Sequence, residues 1–160
     1  MKKVKLTIEL IPSTCWYSNV RSEVSVETWD KIRRKAYRNA NYKCEICGGK
    51  GEEWPVECHE IWEYIDETHT QKLVGFIALC PDCHKVKHFG RTQIMGGYEE
   101  ACEHLKKVNN WDNSTLANYL NTVSITYHER SCYKWELDIS YIDEYKRKNE
   151  DSQRPTYKTT

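Results

Sequence analysis

Four cysteines fall in two pairs, Cys44-x-x-Cys47 and Cys80-x-x-Cys83. Two residues between thiols put both sulfurs on one side of a tight turn. Two such turns complete a tetrahedron of thiolates, the usual structural zinc site. A redox pair comes singly, in a thioredoxin-like setting, and neither condition holds here. Cys44, Cys47, Cys80 and Cys83 are therefore expected to hold a structural Zn²⁺ whose binding contributes directly to folding. Cys15, Cys58, Cys102 and Cys132 have no partner at ligand spacing and read as small buried hydrophobes.

A second set of ligand types adjoins the knot. His84 follows Cys83 directly, and His88 lies four residues on. On a helix the two stand on one face, one turn apart, as ligands of one metal would. His59 precedes them in a segment with strand character, and a hairpin packed on a helix brings it to face that pair. Three imidazoles with an open position make a catalytic rather than a closed structural site. His69, His104 and His128 lack such context and read as surface or core residues.

The elements that must position these groups can be read along the chain. "KKVKLTIEL" alternates, with Val4, Leu6, Ile8 and Leu10 on one side, which predicts a half-buried strand ended by Pro12. Residues 13–22 read as a loop. Ser25 caps a helix from Val26 to Ala40, on which Trp29, Ile32, Ala36 and Ala40 recur at helical spacing. "CEICGGKG" is a knuckle with glycines for the tight backbone. "WPVECHEIW" and "KLVGFIAL" read as two strands joined by a long polar connection. Pro81 and Gly90 bound a short helix over 81–89. Two more helices are expected over 97–109 and 113–130, the second capped by Asn113 or Ser114. "YKWELDISYIDEY" is strand or helix, and 146–160 is a polar tail. The chain thus divides into a strand and basic helix (1–40), a metal-binding core (41–92), a mostly helical extension (93–145) and the tail (146–160). The fold class is α+β.

"CEIC", "VECHEIW" and "LCPDCHKVKH" together resemble the HNH endonuclease family in its zinc-knuckled form. The resemblance covers roughly residues 40–92. It implies a ββα-metal core stapled by the cysteine pairs, with His59, His84 and His88 as ligands of a catalytic divalent ion. It also implies cleavage of DNA phosphodiester bonds by an HNH endonuclease. Glu60 falls where the family usually carries its general-base histidine. A free Glu has a pKa about two units below that of His, so with a Brønsted slope near one half it would be a base poorer by on the order of tenfold. Glu60 is then base, orienting residue or metal ligand, with His69 and Glu63 as weaker sources of a base. The catalytic set expected on this resemblance is Glu60, His59, His84 and His88. The ion would be Mg²⁺, Mn²⁺, Ni²⁺ or Zn²⁺, imidazole suiting the last two.

Lys plus Arg and Asp plus Glu each number 24, so nucleic acid must be met by a local patch rather than by net charge. Arg33, Arg34 and Arg38 on the first helix, and Lys85, Lys87 and Arg91 beside the histidines, are the candidates for phosphate contact. The alternative to a nuclease is a non-catalytic, zinc-stabilised module that binds nucleic acid or a protein, such as an inhibitor from a phage or mobile element. The start "MKKVKLTIEL" lacks the apolar run of a secretory signal, and no stretch approaches a membrane span. The expectation is a cytoplasmic protein whose cysteines hold metal instead of pairing as disulfides.

Overall fold

The computed structural model describes residues 3–15 and 19–146. Residues 16–18 of the expected loop and the polar tail from 147 onward lie outside that range. Two long antiparallel strands, β1 (Glu57–Ile65) and β2 (Thr70–Leu79), form the frame. A short strand, β3 (Glu136–Asp138), joins the free edge of β2 in parallel. The register sets His59 opposite Ile77 and Glu60 opposite Phe76, with a bulge at Ile61/Trp62. The polar segment expected as a long connection is mostly strand, because β1 runs to Ile65 and β2 starts at Thr70. Cross-strand pairs such as Glu63 with Lys72 hold charged residues in the ladder.

Helices cover both faces of the sheet. On one side lies α1 (Val26–Asn39), started by Ser25 accepting from the Thr28 amide. Its Ile32 meets Val20, Leu73 and Ile142 in a small core that also takes up Trp29, Cys58, Trp62 and Phe76. On the other side, α2 (Pro81–Lys87), α3 (Phe89–Ile94), α4 (Tyr98–Asn109) and α5 (Asn113–Arg130) follow in sequence. The larger core lies here, built from Leu79, Cys83, Val86, Phe89, Leu105 and Leu116. The α5 cap is Asp112, accepting from the Thr115 amide, rather than Asn113 or Ser114. Gly90 falls inside α3 instead of ending a helix. The "YKWELDISYIDEY" segment divides into β3 and a 3-10 turn at Ser140–Ile142. No helix among the described residues is long and apolar enough to cross a membrane.

The N-terminal segment keeps the alternation read from its sequence but forms no strand. Leu6 is fully buried and Ile8 nearly so, while Lys3 and Lys5 are exposed. No strand lies beside it among the described residues, so its backbone is satisfied by other groups. Asn109 Oδ1 accepts from the Lys5 and Leu6 amides at 2.9 and 3.1 Å, and Asn109 Nδ2 donates to the Leu6 carbonyl at 2.9 Å. The Tyr119 hydroxyl accepts from the Ile8 amide, and the Lys87 carbonyl accepts from the Glu9 amide. One asparagine thus does the work of a strand edge. Each such bond contributes about 1 kcal/mol net, and an orphaned buried amide costs about 1–3 kcal/mol. Asn109→Ala is expected to destabilise the fold by about 2–4 kcal/mol and to open residues 3–10 to protease, read by denaturant melting and limited proteolysis.

Candidate metal centres and the surrounding surface

The two cysteine turns meet where the chain enters and leaves the hairpin. Cys44 and Cys47 sit on a knuckle in which the Gly48 amide donates to the Cys44 carbonyl and Gly48 takes a positive φ of 75°. That φ is strained for any side chain, so the glycine is required there. The knuckle docks on the end of β2, with the Glu45 amide donating to the Ala78 carbonyl at 3.0 Å. Cys80 caps α2 and Cys83 lies in its first turn, behind Pro81. The ligand atoms of Cys44, Cys47, Cys80 and Cys83 all lie within 4.8 Å of one another. The Cys47 and Gly49 amides point at Cys44 and Cys47 sulfur, and the Cys83 amide points at Cys80 sulfur. Such donors stabilise thiolates. The Cys83 thiol, hydrogen-bonded to Cys44, holds Cys44 down at about 4, while burial lifts Cys80 to about 11. Protons shared among crowded sulfurs are what a soft divalent cation displaces, and the donor set fits a structural metal such as zinc.

Of the four remaining cysteines, only Cys102 is buried. Cys15 and Cys58 are half-buried, and Cys132 is exposed, its thiol directed at the His128 carbonyl. The expectation of burial therefore fails for Cys132, which sits in the turn just past α5.

His104, expected only as a surface or core residue, has its Nε2 3.1 Å from Cys83 sulfur. It projects from α4, twenty-one residues along the chain, onto the one thiolate that is wholly enclosed. An N–H donated there would offset charge on a four-thiolate centre. His104→Ala is expected to weaken zinc binding about 10–100-fold, the usual worth of an outer partner, measured by competition with a colorimetric chelator.

The three candidate ligand histidines converge. His59 comes from β1 on the α2 side of the sheet, and His84 and His88 come from α2 and the bend that follows it. Their ligand atoms lie within 4.8 Å of one another, and the ring centroids are 5.2, 5.0 and 4.7 Å apart in pairs. The helix bends at His88 (φ −89°, ψ 47°), where its amide still donates to the His84 carbonyl. His84 Nε2 and His88 Nε2 are 3.1 Å apart, close to the about 3.3 Å edge of a tetrahedron with metal–nitrogen bonds of about 2.0–2.1 Å. The donor set fits a divalent ion on these grounds. Behind His84, Glu57 takes a hydrogen bond at Nδ1. Behind His59, Glu9 lies 2.7 Å from Nε2.

Desolvation in the cluster, with the His84 and His59 imidazoles beside it, pushes His88 down to about 4. Burial also lowers His84, against the pull of Glu57. Both rings are neutral near pH 7, the form that binds metal. Because the folded value for His88 lies below its ordinary 6.5, the unfolded chain binds more protons between the two. The stabilisation is complete above pH 6.5 and is lost as pH falls toward about 4. An NMR titration of protein carrying only the cysteine-bound zinc is expected to show the His88 ring titrating near 4.

Glu60 is not brought to this cluster. Neighbouring residues of a strand point to opposite faces, so Glu60 projects to the α1 side. There its carboxylate accepts from the Val20 amide at 2.7 Å. Burial raises its pKa, partly offset by that bond. Neither reserve base is nearby. Glu63 is exposed farther along β1, opposite Lys72. His69 stacks on Tyr133 at the hairpin tip, roughly 20 Å along the strand from His59 at about 3.3 Å per residue.

The six basic candidates separate in the same way. Arg33, Arg34 and Arg38 ride on α1, behind the sheet from the histidines, and Asp30 holds Arg33 at 2.8 Å. Lys87 is buried and donates to Thr7 Oγ1 at 2.7 Å, so it pins the N-terminal segment instead of meeting solvent. Lys85 and Arg91 are exposed beside the cluster. Both line a groove of about 1110 Å³ that runs from Lys50 and Trp54 past His84 and His88 to Met95. The groove wall is mixed in charge, since Glu52, Glu53, Glu57, Asp82 and Glu100 also line it. A second hollow of about 560 Å³, lined by Leu10, Tyr98, Leu120 and Tyr127, shares His88 and Arg91 with the first.

Glu9, Glu57 and His104 are the site residues that the sequence reading missed. Glu57 had a legible signal, because two residues before His59 on a strand means the same face. Glu9 and His104 had none. No family model matches the chain, and no match is found among curated proteins or solved structures.

Proposed function

We propose that the protein is a metal-dependent nuclease of the HNH type that hydrolyses DNA phosphodiester bonds. The observation that carries this reading is the convergence of buried His59, from a strand, with His84 and His88, from a helix and its end, the latter two lining a groove. A divalent ion held there supplies Lewis-acid stabilisation of the phosphoryl oxygen and of the leaving oxygen. Glu57 fixes the His84 ring by a hydrogen bond at Nδ1. Lys85 and Arg91 put positive charge beside the point where a phosphate would lie, and their contacts would carry no base preference. The bound ion would be Mg²⁺, Mn²⁺, Ni²⁺ or Zn²⁺, the imidazole donors favouring the last two.

One observation favours a second reading. The Glu60 carboxylate is engaged by Val20 on the other face of the sheet, which removes it as a base for an attacking water. A zinc-stabilised module that binds nucleic acid or a protein without cutting fits that arrangement. Supercoiled plasmid incubated with the protein and each ion in turn separates the two. Nicking that depends on the added ion supports the nuclease. Folded, zinc-loaded protein that shifts DNA in a gel without nicking it supports the module.

A further inference from the structure

We propose that Glu9 sets the tautomer of His59, so that His59 offers Nδ1 rather than Nε2 to a divalent ion. The inference rests on reading His59, His84 and His88 as one metal site. His59 is 4% exposed, and its two ring nitrogens have different surroundings. Nε2 lies 2.7 Å from Glu9 Oε2. Nδ1 is buried and has no hydrogen-bond partner among the described residues. A carboxylate accepts only, so it holds the imidazole proton on Nε2 and leaves the lone pair on Nδ1. Were Nε2 the ligand, the proton would move to Nδ1 and become a buried N–H with no acceptor. Only ligation through Nδ1 leaves every polar atom of this buried ring satisfied.

Glu9 is itself built into place. Its other oxygen is 3.6 Å from Lys87 Nζ, Lys87 donates to Thr7, and the Glu9 amide donates to the Lys87 carbonyl at 3.1 Å. The buried lysine thus steadies the carboxylate and balances its charge. The same plan appears at His84, where Glu57 occupies Nδ1 and leaves Nε2 facing His88. Carboxylates behind ligating imidazoles fix ring orientation and raise ligand basicity. Glu9 stands fifty residues before His59, on the segment clasped by Asn109. The metal site would therefore extend beyond the hairpin and α2, and Glu9 acts on it as a positioning residue.

The test uses full-length protein loaded with one zinc. Long-range proton–nitrogen correlation of the imidazoles is expected to show His59 protonated at Nε2 and bare at Nδ1. Calorimetric titration with Ni²⁺ is expected to give Glu9→Ala an affinity lower by about 10–100-fold. Glu9→Gln, whose amide oxygen still accepts from Nε2, is expected to retain most of it. Zinc content and amide spectra check that both variants are folded. A wild-type His59 protonated at Nδ1, or a folded Glu9→Ala that binds Ni²⁺ as tightly as wild type, overturns the proposal. If Glu9→Ala does not fold, the wild-type tautomer and Glu9→Gln still decide it. A wild type with the expected tautomer that takes up no Ni²⁺ overturns the metal-site reading instead, and with it the role of Glu9 toward an ion.

Discussion

Stripping zinc from the protein is expected to unfold the knuckle, the base of the hairpin and α2 together, and to release α4 from the larger core. The four sulfurs close the segment from Cys44 to Cys83, and three of them are buried among the core side chains. Cys83, fully enclosed, touches His104 of α4, so the knot couples the helical layer to the sheet. Structural zinc contributes about 10–16 kcal/mol of apparent binding energy at pH 7 in small zinc peptides. That matches or exceeds the about 5–15 kcal/mol by which whole domains are stable. Elemental analysis should find about one zinc per chain, as four thiolates predict. Chelation should then collapse the amide spectrum of residues 44–92, and Cys83→Ser should fail to accumulate in folded form. Cys47→Ser should be milder, since Cys47 is the exposed member of the four. A chelated protein that keeps its melting temperature would remove zinc from the account of this fold.

On the proposed nuclease reading, His84→Ala is expected to abolish ion-dependent nicking while leaving the four-cysteine knot intact. His84 contributes one of three imidazoles, and its loss also strands Glu57. Partners behind a ligand are already worth about 10–100-fold in affinity or activity, so loss of the ligand should cost more than about 100-fold. Its ring is only partly buried, and the helix keeps Cys83 in place through Pro81 and the Cys80 cap. Zinc content and the melting curve should therefore barely move. Glu60 supplies the contrast. Glu60→Gln retains an oxygen for the Val20 amide and should change nicking by less than about threefold, because the residue lies across the sheet from the cluster. Glu60→Ala orphans that amide and should cost about 1–3 kcal/mol of stability with little further effect on rate. Nicking that falls with Glu60→Gln as steeply as with His84→Ala would show that β1 presents Glu60 to the site during turnover. Activity retained in His84→Ala would place the chemistry elsewhere.

The chain's own spacing determined the parts of the site that are local. Two residues between thiols, and three between histidines on a helix begun by Pro81, dictate which atoms share a side, because turn and helix geometry repeat over so short a distance. The helix at Val26–Asn39 follows from apolar recurrence and its Ser25 cap for the same reason. Tertiary structure decided what depends on distant partners. The alternation of residues 4–10 anticipated the burial of Leu6 and Ile8, but a strand needs a neighbouring strand. Here Asn109, Tyr119 and Lys87 satisfy the backbone instead. Adjacent positions such as His59 and Glu60 look like a pair in one dimension and are separated by the sheet in three. Arg33 and Arg38 look like a basic patch and lie behind that sheet, while Lys87 is spent on Thr7 and Glu9. Glu9 and His104 reach the candidate metal centres from far along the chain. Nothing in the residues around them announces it, because a contact between remote segments is set by how the layers pack and not by local period.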